Sequence, residues 1–108
     1  MIKIDFSRDS GRIRLKMQGH AGSDIVCAGT SGIFYALLGY LANEKKSELR
    51  VGKVASGDVE ISCAEDYSHA MRLCYIGFLQ IAMTYHGTLA VSESVWHSAV
   101  GSPISVGA

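Results

Sequence analysis

The sequence predicts an α+β fold: a two-layer sandwich of a mostly antiparallel sheet of four to five strands with two helices, in the order ββα(β)βαβ. Three observations carry that expectation. Two short stretches near the N-terminus alternate apolar and polar residues. Two longer stretches repeat apolar residues at helical spacing, and strand-like stretches follow each of them.

Residues 2 to 6 set Ile2, Ile4 and Phe6 against Lys3 and Asp5, the period of a strand with one buried face. After turn chemistry at Asp9, Ser10 and Gly11, Ile13, Leu15 and Met17 alternate with Arg12, Arg14 and Lys16. The two stretches predict a hairpin whose polar face needs no cover, so helices lie on one side only. Gly19 ends the alternation, and Asp24 is a favoured cap ahead of a helix from about Ile25 to Lys46. Ile33, Phe34, Leu37, Leu38 and Leu41 form its apolar stripe. Gly29, Gly32 and Gly39 each weaken an isolated helix by about 1 kcal/mol, which predicts close packing against a neighbour. A looser second hairpin spans Leu49 to Ile61 about a turn at Ser56, Gly57 and Asp58. Asp66 is the expected cap of a second helix, with Ala70, Cys74, Gly77, Phe78, Ile81 and Tyr85 on one face. Thr88 to Val95 alternates once more and adds a last strand.

A chain of 108 residues fits one domain, read here as residues 1–96, with a loosely held Ser- and Gly-rich tail over 97–108. Hydrophobic residues at 48% against charged residues at 19% place the chain among folding sequences rather than disordered ones. Ten basic and ten acidic residues cancel, so the general attraction toward nucleic acid is missing and no nucleic-acid partner is expected. The N-terminal segment lacks a basic and apolar leader, and no strict run of eighteen apolar residues occurs, so a cytoplasmic protein with no membrane partner is expected. In that reducing compartment three cysteines at unrelated spacings read as free thiols.

Cys27 is the thiol with chemistry around it. With Asp24 as cap it falls in the first helical turn, where unpaired N–H groups and the helix dipole favour a thiolate. His20 stands just past the second strand, seven residues before it, close enough for an imidazole to accept the thiol proton. Such a pair supports acyl transfer, with the N–H groups of Cys27 and Ala28 as donors to the oxyanion and the Ser31 hydroxyl on the same helix face. Spacing alone leaves open that Cys27 is a small core residue and His20 a strand-end surface residue.

The run Gly19, His20, Ala21, then Asp24 to Ser31 (DIVCAGTS), resembles the signature of the ribosomal-processing cysteine protease family. The resemblance extends over roughly residues 2 to 95 through the order of the elements. It implies a catalytic dyad of His20 and Cys27, with Gly19, Asp24, Ala28 and Ser31 in supporting or substrate-binding places. It further implies removal of an N-terminal extension from the precursor of large-subunit ribosomal protein twenty-seven, or from a similar phage structural precursor. Relatives often pair, which implies a homodimer and draws attention to Tyr40 and Trp96 as surface aromatics. The family usually carries a longer mobile loop between the two dyad residues; here only Ala21 to Val26 intervene.

The alternative reading is a non-catalytic peptide-binding module of the same fold. Cys63 and Cys74 read as core residues, and with no C-x-x-C or H-x-x-x-H pair among His20, His69, His86, His97 and the cysteines, no metal or other cofactor is expected. The glycines form no phosphate-cradling pattern. Arg12 and Arg72 read as solvated surface charges.

Overall fold

The computed structural model describes residues 1–96, so the expected tail over 97–108 lies outside the described residues. The first hairpin joins β1 (Ile2–Asp9) to β2 (Arg12–Gln18). Ser10 and Gly11 close it at φ of 52° and 75°, the two left-handed positions that a two-residue hairpin loop requires. The second hairpin, β3 (Arg50–Ala55) and β4 (Asp58–Ala64), contributes both of its arms to the sheet. With β5 (Leu89–Glu93) the order is β3-β4-β2-β1-β5, antiparallel throughout except for β5, which runs parallel to β1.

Register carries the alternation of one strand into the next. Phe6 lies beside Leu15, which lies beside Ile61; Ile4, Met17 and Val59 make the adjoining row. All six are buried, and the intervening Lys3, Asp5, Lys16 and Gln18 face solvent. Helices α1 (Asp24–Asn43) and α2 (Ser68–Thr84) cover the apolar face. On α1 the buried residues are Val26, Thr30, Phe34, Leu37 and Leu41, and on α2 they are Met71, Cys74, Tyr75 and Phe78. The helices meet through small residues: Gly77 is the seat of Ile33, and Gly29 faces Ile81. Phe6 is the hub of an aromatic cluster, with ring centroids 5.8 Å from Tyr75, 6.1 Å from Phe78 and 5.6 Å from Trp96. At 20 residues and a mean hydropathy of 1.7, α1 has the length and composition of a membrane span. Its apolar stripe is instead taken up by the core between helix and sheet.

Several expectations are corrected. Ser23, not Asp24, caps α1, its hydroxyl accepting from the Val26 N–H at 3.4 Å; Asp24 is the first helical residue. The helix stops at Asn43 rather than Lys46 because Glu44 is extended and a single 3₁₀ turn, Lys45–Ser47, redirects the chain. The buried Ser47 hydroxyl satisfies the Leu41 carbonyl at 2.7 Å there. Asp66 lies within another 3₁₀ turn, Glu65–Tyr67, and α2 opens after it with no side-chain cap. The buried stripe of α2 is rotated toward Met71 and Tyr75, while Tyr85 is exposed. Among the described residues Gly32 and Gly39 face open space, so only Gly29 of the three helix glycines meets a neighbour there.

Arg12 is not a solvated charge: its guanidinium donates to the Ser62 hydroxyl at 3.0 Å and to the Glu48 carbonyl at 2.6 Å, tying β2 to the chain ahead of β3. Arg72 lies over the Trp96 ring at 5.8 Å, and Trp96 packs on Phe6 and Tyr75 rather than standing free. Tyr40 remains exposed.

Candidate active site

The site forms where the end of β2, the start of α1 and the β3–β4 turn converge. Pairing of β2 with β4 sets Gln18 opposite Asp58, so the turn at Ser56 and Gly57 must lie beside the residues that follow β2. Those are Gly19 and His20. Gly19 has φ of 102°, and a Cβ on it would fall 2.4 Å from the Met1 carbonyl oxygen, so both conformation and space demand glycine. Its N–H donates to the Gly57 carbonyl at 2.9 Å, and the Met1 nitrogen donates to the His20 carbonyl at 2.7 Å. The backbone that carries His20 is thus held from two sides.

From His20 the chain passes through Ala21 and Gly22 to the Ser23 cap. Cys27 then sits one turn into α1, half-buried. The six residues between the two are spent on this cap and the first helical turn, so none forms a separate flap. His20 and Cys27 line one cleft of about 200 Å³. Ser31, one helical turn beyond Cys27, and Gly19 line it too. Its floor is apolar, from Ile2, Met17, Phe34 and Val59; Tyr35 and the segment Ala55 to Asp58 form further walls. Asp24 and Ala28 are exposed and are not among the residues lining the cleft.

The expected oxyanion donors are corrected. Because the cap is Ser23, the Cys27 N–H already donates to the Ser23 carbonyl at 2.9 Å. Ala28 lies one residue deeper, where the i to i−4 pattern commits its N–H to the Asp24 carbonyl. Neither amide is free.

The three thiols differ in setting. Cys63 and Cys74 are buried as expected, and desolvation pushes both thiols up to about 11. Cys27 alone faces the cleft. On the cleft wall Asp58 lies 2.7 Å from Lys53, whose hydrogen bond holds its carboxyl below the ordinary range. Thr30, beside Cys27 in the lining, is fully buried, and its hydroxyl has no partner among the described residues. Sequence reasoning missed Thr30, Tyr35 and the β3–β4 turn as parts of the site. The turn was legible as a turn, but only the β2–β4 register brings it to His20.

A half-exposed thiol and an imidazole sharing one cleft on an α+β sandwich are the equipment of a cysteine protease. The family model described as cysteine protease Prp matches residues 1–90, and the chain belongs to that family. No curated protein sequence matches the chain. Solved structures do. The chain is similar to the essential ribosomal processing protease Prp from Staphylococcus aureus in complex with a covalently linked product peptide, with a TM-score of 0.74 at 20% identity over 87% of this chain and 100% of that one. The same protease in complex with a substrate peptide matches at 0.68 and 17% identity, over 87% and 100%. A Streptococcus mutans protein matches at 0.65 and 20% identity, over 86% and 93%. At these identities the structural likeness concerns the fold, a mixed five-stranded sheet with two helices.

Proposed function

We propose that this cysteine protease uses Cys27 as nucleophile and His20 as general base and acid to remove an N-terminal extension from a ribosomal precursor protein. The candidate substrate is large-subunit protein twenty-seven or a similar phage structural protein. The observation that carries this reading is the shared cleft: of the three thiols only Cys27 opens onto it, and among the described residues His20 is the one histidine lining it. The imidazole takes the thiol proton, the thiolate attacks the scissile carbonyl, and the imidazolium protonates the leaving amine. Water then releases the acyl group by the reverse sequence. Ser31 offers a hydroxyl to the same cleft, while Gly19 gives His20 its place and Asp24 opens the helix that carries Cys27. No cofactor enters these steps. The Staphylococcus aureus ribosomal processing protease, solved with substrate and product peptides, supports a ribosomal precursor as the substrate class. Action in the cytoplasm as a homodimer belongs to the same proposal, the exposed Tyr40 being one aromatic available to a second copy.

The test is incubation of the purified chain with the ribosomal precursor beside Cys27→Ala and His20→Ala. Cleavage is expected to vanish with Cys27→Ala and to fall about 10²- to 10⁴-fold with His20→Ala. The short link between the dyad residues favours the rival reading of a peptide-binding module without closure over the site. Precursor that binds wild type and Cys27→Ser alike and is cut by neither would establish that rival and end the present reading.

A further inference from the structure

Imidazoles in acyl-transfer sites are usually held by a third group, often a carboxylate, that fixes the ring. Among the described residues the His20 ring has no hydrogen-bond or ion-pair partner; only its backbone carbonyl is engaged, by Met1. The ring lies instead against the β3–β4 turn. A Cβ built on Gly57 would fall 2.4 Å from Nε2, 2.8 Å from Cε1 and 3.1 Å from Cδ2 of His20. The imidazole therefore rests on a bare Cα, and the same residue's carbonyl accepts from Gly19 beside it.

We infer that Gly57 is a positioning residue of the dyad: its missing side chain leaves the shelf on which the His20 imidazole sits, in place of an orienting carboxylate. The inference rests on the proposed dyad. A glycine at φ of 74° needs no such role, since the backbone alone asks for it. The molecule holds its own control for that objection. Gly11 and Gly87 have φ of 75° and 78°, and a Cβ on either meets nothing within 4 Å among the described residues. Alanine imposes the same left-handed strain at all three positions, but at Gly57 alone it also displaces an imidazole. His20 is exposed and its ring sits at the end of a rotatable side chain, so the overlap is relieved by swinging the ring at small cost to the fold. What is lost is the ring's place in the cleft, where a displacement of about 1 Å costs on the order of 10²-fold in rate.

The experiment compares Gly57→Ala, Gly11→Ala and Gly87→Ala in the full chain by melting temperature, by kcat and KM on a peptide spanning the precursor cleavage site, and by the His20 imidazole resonances in NMR. The expected result is a similar fall in melting temperature for all three. Gly57→Ala alone loses about 10²-fold in kcat with KM little changed, and it alone moves the His20 resonances. Equal kinetic losses in all three variants would reduce Gly57 to a turn residue, as would wild-type kcat with unmoved resonances in Gly57→Ala. If His20→Ala proves fully active, the dyad reading has failed; moved His20 resonances in Gly57→Ala would then still uphold the shelf, and unmoved ones would overturn it.

Discussion

Where α2 lies over Phe6 of β1, Phe6, Met71 and Phe78 have no exposed surface, and Tyr75 packs edge-on against Phe6 with ring centroids 5.8 Å apart. Where the start of α1 approaches the β3–β4 turn, the same residue types behave otherwise. Tyr35 is 57% exposed, Cys27 opens to a cleft, and all six residues of β3 face solvent. Val54 and Val51 continue the apolar rows of Val59 and Ile61 onto β3, but no helix among the described residues covers them. The sandwich is thus closed at one side and left ajar at the other. Burial is complete where it stabilises the fold, and the opening is where a peptide segment can enter.

The sharpest test of that asymmetry is a pair of aromatic truncations. Phe78→Ala removes a fully buried ring and leaves a cavity beside Phe6, with an expected loss of about 3–5 kcal/mol in urea unfolding. Tyr35→Ala, at the cleft rim, is expected to change stability by no more than about 0.5 kcal/mol and to show its effect in peptide affinity. Equal stability losses at the two sites would mean that the cleft side is as tightly packed as the core.

A second contrast lies in the thiols. Cys63 and Cys74 have folded-state pKa values pushed to about 11 from an ordinary value of 9.0. Below pH 9 both forms of the chain keep these protons, and burial has no pH-dependent cost. Between pH 9 and 11 the unfolded chain releases them while the folded chain does not, so stability falls as pH rises, on the order of 1 kcal/mol per pH unit for each thiol. Urea unfolding between pH 8 and 11 is expected to show that decline, and a Cys63→Ala, Cys74→Ala double variant to flatten it. Near neutral pH iodoacetamide is expected to label Cys27 in the native protein well before either buried thiol. Comparable labelling of all three would contradict the burial that separates them.

The same division decides what the sequence discloses. Alternation in β1 and β2 reports a face buried along its whole length, so Ile4, Phe6, Ile13 and Leu15 were readable without coordinates. The stripe of α1 was readable for the same reason at Phe34, Leu37 and Leu41. The ends were less so, because a cap is one hydrogen bond among near equals: Ser23 and Asp24 are both good cap residues, and tertiary position chose Ser23. That single shift committed the Cys27 amide to Ser23 and removed it from the oxyanion. The cleft was half legible. His20, Cys27, Gly19 and Ser31 lie within thirteen residues of one another, so local spacing and motif located them. Gly57 and Asp58 are far along the chain, and only the pairing of β2 with β4 brings them to His20.

Thr30 offers the finest probe of the boundary between the two sides. It belongs to the buried stripe of α1 and also lines the cleft, and its hydroxyl is buried without a partner among the described residues. Ser47, another buried hydroxyl residue, donates to the Leu41 carbonyl and is satisfied. An unmade hydrogen bond costs about 1–3 kcal/mol of desolvation, whereas valine fills nearly the same volume without the polar atom. Thr30→Val is therefore expected to raise stability by about 1 kcal/mol, read as a higher urea midpoint at unchanged slope. If the midpoint falls instead, the hydroxyl has a partner in solution and the interior beneath Cys27 is as well satisfied as the core under α2. If it rises while peptide cleavage slows, the hydroxyl is held unpaired for a group that the substrate brings, and the open side of the sandwich extends one layer deeper than Cys27.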